Sequence, residues 1–154
     1  MRKSGGAVIV DTNVLLSATA PSHPLHHAAQ ALFTAPGREL CTSGQILREY
    51  LVIAARPQAQ NGLGLAPTDA LDNAATFARR MRFLDEKRLV QRRLEALLRE
   101  APCLGAQIHD ANIAATALAH GVEAIITENV EDFRRWERFL AVLHLAGEAS
   151  PAPS

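Results

Sequence analysis

Three carboxylates, Asp11, Glu49 and Asp110, have the sequence surroundings that most strongly suggest chemistry. Each is flanked by apolar residues at a point where a short strand or helix would meet its connecting loop. A carboxylate in an apolar setting is costly to bury unless its charge is compensated. Three that converged would repel one another strongly, and a divalent cation is the usual remedy. These residues therefore predict a hard-metal site and, with it, phosphate chemistry.

The elements that must position these acids alternate between strand and helix. Residues 7–10 are uniformly apolar, as in a strand that is buried on both faces of a parallel sheet. Further strands are predicted at residues 38–42, 124–127 and 140–144. Helices are predicted after Ser43 to about Ala55, from Pro67, after Asp85 as N-cap, and from Asp110 to about His120 with Gly121 as its C′ residue. This alternation predicts an α/β fold with a central parallel sheet flanked by helices.

The predicted fold gives the three acids a common location. In an open parallel sheet, ligands bind at the carboxyl ends of the strands. Asp11 directly follows the first strand, and Glu49 lies about two turns into the helix that follows the second. Asp110 would start a helix, where the N-terminal amides favour negative charge. Spacing alone does not show that the three converge, because an isolated acid is more often a cap or a surface residue.

Four short segments make the pattern more specific. They occur in order at residues 10–16 (VDTNVLL), 46–50 (ILREY), 109–117 (HDANIAATA) and 127–133 (TENVEDF). In this order they resemble the motifs of PIN-domain nucleases, over roughly residues 7–145. The length and spacing are similar to those of VapC-type toxins from toxin–antitoxin pairs. The resemblance implies a PIN-like three-layer α/β fold.

The resemblance also implies roles for the matched residues. Asp11, Glu49 and Asp110 would hold Mg²⁺ or Mn²⁺, directly or through water. Thr12 or Asn13 would steady the first carboxylate by hydrogen bonding, and Thr127 would be a further supporting residue. The metal would activate a water and neutralise charge on the scissile phosphate, so that no histidine, serine or cysteine nucleophile is required.

The closing segment leaves two alternatives open. Many relatives carry an aspartate where this chain has Asn129, whose carbonyl oxygen can bind metal-associated water but supplies no charge. Asp132 could supply a fourth carboxylate to the site. It could equally cap a following helical turn through Arg134 and Trp136.

A basic stretch at residues 79–99 contains eight basic and three acidic residues, in a chain with 16 of each. Such a surface could hold RNA phosphates beside the acidic site. The candidate contacts are Arg79, Arg80, Arg88 and Arg92. The alternatives are a solvated helix face and an antitoxin-binding surface.

Length and composition indicate one globular domain, expected at residues 7–146 between a flexible tail (1–6) and a disordered one (147–154). The two cysteines have no metal-site or disulfide spacing. A metal role is not favoured for His23, His26 and His27, and His109 is expected to support packing or a helix start instead of catalysis. The N-terminal apolar run is too short for a signal peptide or a membrane span, which predicts a cytoplasmic protein.

Other functions fit the residues less well. A phosphatase of the haloacid-dehalogenase type needs a second aspartate two residues after the first, where this chain has Asn13. The expected function is a metal-dependent ribonuclease toxin with an RNA substrate, a VapB-type antitoxin and, as in its relatives, a homodimeric state. Two alternatives stay open: an RNA-processing nuclease without an antitoxin, and a non-catalytic interaction module.

Overall fold

The computed structural model describes residues 6–148 of the chain. Its centre is a five-stranded sheet in the order β3-β2-β1-β4-β5, in which every neighbouring pair is parallel. The strands are β1 Val8–Val10, β2 Leu40–Ser43, β3 Arg82–Leu84, β4 Ala124–Thr127 and β5 Ala141–His144. Helices flank this sheet, and the predicted α/β fold is confirmed.

Strand β1 occupies the middle of the sheet because all three of its side chains can be buried. Val8, Ile9 and Val10 are completely inaccessible to solvent. Ile9 pairs with Cys41 of β2 on one side and with Ile125 of β4 on the other. An apolar run without alternation is typical of a strand covered on both faces. The strand therefore ends at the centre of the sheet edge, and Asp11 comes directly after it.

The helices between the strands mostly follow the predicted pattern. They are α1 Thr12–Thr19, α2 His26–Thr34, α3 Gly44–Ala55, α4 Pro67–Arg79, α5 Arg88–Glu100, α6 Gln107–Ala119 and α7 Leu145–Glu148. The Ser43 hydroxyl accepts a hydrogen bond from the Ile46 amide and caps α3 as predicted. Pro67 opens α4, and Gly121 follows α6 with a φ of +73°, as expected of a C′ glycine.

Two predicted helix starts are wrong by two or three residues. Asp85 does not cap α5; its carbonyl accepts from the Lys87 amide in a turn, and Lys87 is the residue that precedes the helix. Helix α6 begins at Gln107, whose side chain accepts a hydrogen bond from the Leu104 amide at 2.9 Å. Asp110 consequently lies within the first turn of α6 instead of at its first residue.

Strand β3 is absent from the sequence prediction, which placed one helix from Pro67 and the next after Asp85 with no strand between them. It is an edge strand that pairs only with β2, and its first two residues, Arg82 and Phe83, are exposed. An edge strand needs little apolar surface, so its composition gives a weak signal. The basic stretch is therefore divided among the end of α4, β3 and α5.

The C-terminal end of the described region extends beyond the predicted domain boundary. Helix α7 runs to Glu148, whose carboxylate lies 2.6 Å from the Arg38 guanidinium. Residues 147 and 148, assigned to the disordered tail by the sequence, are therefore helical. The rest of that tail and residues 1–5 lie outside the described residues. Between residues 6 and 148, none of the helices is long and apolar enough to cross a membrane.

Candidate active site

An open cleft of about 650 Å³ lies at the carboxyl ends of the central strands. Four separate segments line it: the end of β1, helix α3, the start of α6 and the turn after β4. The predicted site residues found on its wall are Asp11, Thr12, Asn13, Glu49, Asp110, Asn129 and Asp132. The fold thus brings together acids that are far apart in the sequence.

Asp11 is held at the bottom of this arrangement by hydrogen bonds from both directions. It is only 7% exposed, and its Oδ1 atom accepts from the Thr12 amide at 2.8 Å. Its Oδ2 atom accepts from the Thr127 hydroxyl at 2.8 Å and from the Asn13 amide group at 3.4 Å. Burial raises the pKa of Asp11 to about 6, against the lowering effect of the Thr127 and Thr12 hydrogen bonds. Repulsion from Glu49 adds to the increase.

Thr12 and Asn13 connect Asp11 to the other segments of the cleft. The Thr12 hydroxyl donates to Glu49 Oε1 at 2.8 Å, which joins the first two acids through one side chain. The Asn13 side chain donates to the Thr127 hydroxyl at 3.2 Å and accepts from the Glu128 amide at 3.2 Å. The start of α1 is therefore tied both to α3 and to the segment after β4.

Glu49 has a second partner that the sequence prediction missed. Its Oε2 atom accepts from the Gln45 amide group at 3.0 Å. The same Gln45 nitrogen donates to the His109 carbonyl at 2.9 Å, and Gln45 Oε1 accepts from the Asn112 side chain at 2.7 Å. The only signal in the sequence is that Gln45 stands four residues before Glu49, one turn away on the same helix face.

Asp110 faces the other acids from α6. Burial raises its pKa to about 7, and the charges of Asp11, Asp132 and Glu49 contribute in that order, while Arg135 lowers it. Both raised pKa values have the same two causes, desolvation and like charge. The cleft therefore concentrates negative charge that nothing within it neutralises fully.

Asn129 and Asp132 reach the cleft from the turn after β4. The Asn129 amide donates to the Thr127 hydroxyl at 3.0 Å, next to Asp11. Asp132 ends a short 3-10 helix, Val130–Asp132, and neither this turn nor the next one, Arg134–Trp136, has a side-chain cap. The capping alternative for Asp132 is therefore wrong. Its charge instead contributes to the raised pKa values of Asp11 and Asp110.

The model of the PIN domain matches residues 8–138, which is most of the chain. This chain belongs to the PIN-domain family. No curated protein is significantly similar to it in sequence.

Solved structures with the same fold come from toxin–antitoxin systems. The DNA-bound VapBC complex from Salmonella typhimurium aligns with a TM-score of 0.68 at 21% identity, covering 92% of this chain and 99% of that chain. A toxin–antitoxin complex from Klebsiella pneumoniae aligns at 0.58 and 25% identity, covering 82% and 89%. VapC20 from Mycobacterium tuberculosis, described as a Sarcin-Ricin loop cleaving toxin, aligns at 0.57 and 18%, covering 77% and 86%.

The arginines at the cleft of this PIN domain differ from those predicted. Arg48 and Arg56 line it, with the exposed Val52 between them at the same helical spacing. Arg48 lies on the helix that carries Glu49, and Arg56 is the residue directly after that helix; these positions were the only signal for them. The Arg48 guanidinium also lies 3.8 Å from the Glu86 carboxylate, at the edge of the opening.

The four arginines predicted to bind RNA lie elsewhere on the PIN domain. Arg79 donates to the Thr76 hydroxyl on the surface of α4, and Arg80 lines a separate pocket beside α1 and α2. Arg88 and Arg92 are exposed on α5. None of the four lines the acidic cleft. Their contact with RNA stays a prediction.

The donor set of the cleft suits a hard divalent cation. Its charged donors are carboxylates, the ligands that Mg²⁺ and Mn²⁺ prefer. Within residues 6–148, no three histidine, cysteine, aspartate or glutamate side chains are close enough to share one ion as they stand. Burial is the main cause of the raised pKa values of Asp11 and Asp110, and the charges of neighbouring acids add to it; a cation between the acids would offset both effects. The residues therefore fit such a metal.

Proposed function

We propose that this PIN domain is a metal-dependent ribonuclease toxin of a VapBC-type toxin–antitoxin pair. The observation that carries the proposal is the convergence of Asp11, Glu49 and Asp110 from three segments on one open cleft. The fold shared with VapBC complexes supports it. The main alternative is a PIN-fold RNA-processing nuclease that works without an antitoxin.

Each acid has a defined part in this proposal. Asp11, Glu49 and Asp110 would hold Mg²⁺ or Mn²⁺, and Asp132 would add a fourth charge. When bound, the cation lowers the pKa of water and neutralises negative charge on the phosphate that is attacked. Thr127 keeps Asp11 in place through its 2.8 Å hydrogen bond, and Thr12 holds Glu49 beside it.

RNA is the proposed substrate because of the charge at the cleft and the nature of one relative. Arg48 and Arg56 lie beside the acids, where they can bind the phosphates on either side of the scissile one. Val52, which is 59% exposed between them, offers an apolar contact to a ribose or a base. One structural relative is described as a toxin that cleaves the Sarcin-Ricin loop, and this supports RNA as the substrate class.

The proposed partners are a VapB-type antitoxin and a second copy of this chain, in the cytoplasm. The neighbours from Salmonella typhimurium and Klebsiella pneumoniae are toxin–antitoxin complexes, which supports the first partner. A small reading frame immediately upstream that neutralises the chain on co-expression would separate this proposal from an antitoxin-independent nuclease. Light scattering of the purified chain would test the homodimer.

Incubation of the purified protein with a panel of structured RNAs tests the reaction. Cleavage should require Mg²⁺ or Mn²⁺, stop completely with excess EDTA and return when the metal is restored. The new ends should carry a 5′-phosphate, because water attacks instead of the 2′-hydroxyl. Cleavage that survives chelation, or 2′,3′-cyclic phosphate ends, would contradict the mechanism.

The two residues after β4 can be separated with single variants. Asp132→Asn removes a charge that acts on both Asp11 and Asp110, so it should weaken Mg²⁺ binding and cleavage about tenfold. Asn129→Ala removes no charge and should act mainly on the rate of cleavage. An unchanged apparent Mg²⁺ affinity in Asp132→Asn would confine the acidic site to the other three acids.

A further inference from the structure

The side chain of Gln45 connects two of the acid-bearing helices. It is 5% exposed and lies on the wall of the cleft. Its amide nitrogen donates to Glu49 Oε2 at 3.0 Å and to the His109 carbonyl at 2.9 Å. Its oxygen accepts from the Asn112 side chain at 2.7 Å. Both N–H groups and the carbonyl oxygen of this amide are therefore engaged at once.

We propose that Gln45 is a positioning residue, which holds Glu49 and the residue before Asp110 on the wall of the cleft proposed to bind the cation. This inference rests on the proposed function. His109 is the residue before Asp110, so a hydrogen bond to its carbonyl fixes the peptide that leads into that acid. One amide thereby sets the direction of the Glu49 carboxylate and the position of the first turn of α6.

Only a carboxamide of this length satisfies all three partners. Two of them, Glu49 Oε2 and the His109 carbonyl, are acceptors that need donors. A glutamate at position 45 would turn an oxygen towards both of these acceptors. A methionine would keep the length and volume but leave Glu49 Oε2 with one hydrogen bond fewer, free to rotate about its own side-chain bonds.

The contacts of Gln45 continue into a closed circuit. The Asn112 side chain also donates to Glu86 Oε1 at 2.8 Å. Glu86 in turn lies 3.8 Å from Arg48, which is back on α3, one turn from Gln45. A chain of polar contacts therefore runs from Gln45 on α3 to Asn112 on α6, and through Glu86 back to Arg48 on α3. This path links the metal side of the cleft to the side proposed to bind phosphate.

The chain contains its own control for this proposal. Gln91 donates to Glu95 Oε2 at 3.1 Å, one turn along α5, in the same sequence relation and at nearly the same distance. That pair is exposed and lies outside the cleft. An ordinary helix-stabilising glutamine–glutamate pair is worth a few tenths of a kcal/mol. Removing Gln91 should therefore have a small effect on folding, whereas removing the buried Gln45 also leaves the His109 carbonyl and the Asn112 side chain without this partner.

The test compares Gln45→Met with Gln91→Met in the full chain. For Gln45→Met we expect the Mg²⁺ concentration for half-maximal cleavage to rise and kcat to fall, each about tenfold, as for other partners of metal ligands. The KM for RNA should change less than about threefold, because the phosphate contacts remain. The rise in melting temperature on adding Mg²⁺, measured without RNA, should shrink in Gln45→Met. Gln91→Met should match the wild type in all of these measurements.

A second variant guards against misfolding of the first. Asn112→Ala removes the donor to Gln45 Oε1 and should shift Mg²⁺ affinity in the same direction, by about threefold. Wild-type Mg²⁺ affinity and kcat in folded Gln45→Met, or in Asn112→Ala if the former does not fold, would overturn the positioning role. If the wild type binds Mg²⁺ by thermal shift yet cleaves no RNA, the proposed function fails, and the Mg²⁺ thermal shift of Gln45→Met still decides the role of Gln45.

Discussion

Helices α3 and α5 carry the same side-chain pair with different surroundings. Each has a glutamine four residues before a glutamate, joined by one hydrogen bond of 3.0 Å in α3 and 3.1 Å in α5. In α3 the glutamate also accepts from Thr12, and the glutamine contacts the start of α6. In α5 the pair lies in solvent. The same glutamine–glutamate spacing therefore does not give the two helices the same chemistry. The difference comes from the segments that pack against each helix.

The packing of the two helices explains why the pairs differ. Helix α5 has a clear apolar side, with Val90 and Leu97 buried towards α6, and turns its charged residues and Gln91 to water. Helix α3 contacts α1, α4 and β2. Its buried face includes Ile46, Tyr50 and Ala54, and its polar residues Gln45 and Glu49 are directed to the one opening that remains.

The largest expected effect tests this comparison with one substitution in each helix. Glu49→Gln keeps the size of the side chain but removes a charge from the cleft, so cleavage should fall on the order of 100-fold. Glu95→Gln makes the same chemical change on α5 and should leave cleavage within about twofold of wild type. Rates at matched Mg²⁺ and RNA concentrations measure both. Equal losses in the two variants would remove the distinction between the helices.

A smaller effect concerns one arginine at the end of α3 and one on α5. Arg56→Gln should raise the KM for RNA about three- to tenfold and lower the salt dependence of binding by about one ion. Arg92→Gln, on α5, tests the basic stretch and should have a smaller effect on both. Cleavage and binding over a range of KCl concentrations provide both values. If Arg92→Gln had the larger effect, the basic stretch and not the cleft rim would be the RNA-binding surface.

The smallest effect is on stability, at the helix that contacts both α3 and α5. The pKa of Asp110 is raised from 3.8 to about 7 in the folded state, so folding favours its protonated form. The free energy of unfolding should therefore decrease as the pH rises from about 4 to 7. Asp110→Asn removes this loss.

Thermal unfolding of the Asp110→Asn variant measures the difference. Above pH 7 it should melt about 3–6 °C higher than the wild type, and near pH 4 the two should coincide. Saturating Mg²⁺ should reduce the gap, because a bound cation compensates the same charge. A variant that melts lower at pH 8 would show that Asp110 is not under repulsion in the folded state.

The central strand could be predicted from a strong local signal, and the acids from the four segments that resemble the motifs of PIN-domain nucleases. Asp11 stands at the end of a fully apolar run, and Ser43 and Pro67 are typical helix-start residues. Strand β3 was missed because an edge strand can leave most of its side chains in solvent. Arg82 and Phe83 are both exposed here, so the strand has no apolar run that would reveal it. In such a strand, pairing with its neighbour decides the structure more than composition does.

The polar partners of the acids were harder to predict than the acids themselves. In the sequence, Gln45 looks like an ordinary helix residue. Its proposed role depends on the position of α6 in the fold, and the residues around Gln45 in the sequence give no information about that position. The arginines show the same limit. The density of charge favoured residues 79–99, whereas the cleft is lined by Arg48 on α3 and by Arg56 directly after this helix.

The position of Trp136 gives the protein a built-in optical reporter. It is the only tryptophan in the chain, and its ring is completely buried. The Arg135 guanidinium carbon lies 5.4 Å from the centre of the ring, and the same arginine lowers the pKa of Asp110 at the cleft. The tryptophan fluoresces from a buried site, and its neighbour Arg135 interacts electrostatically with an acid of the cleft. Its fluorescence should therefore respond both to unfolding and to filling of the cleft, without any dye attached.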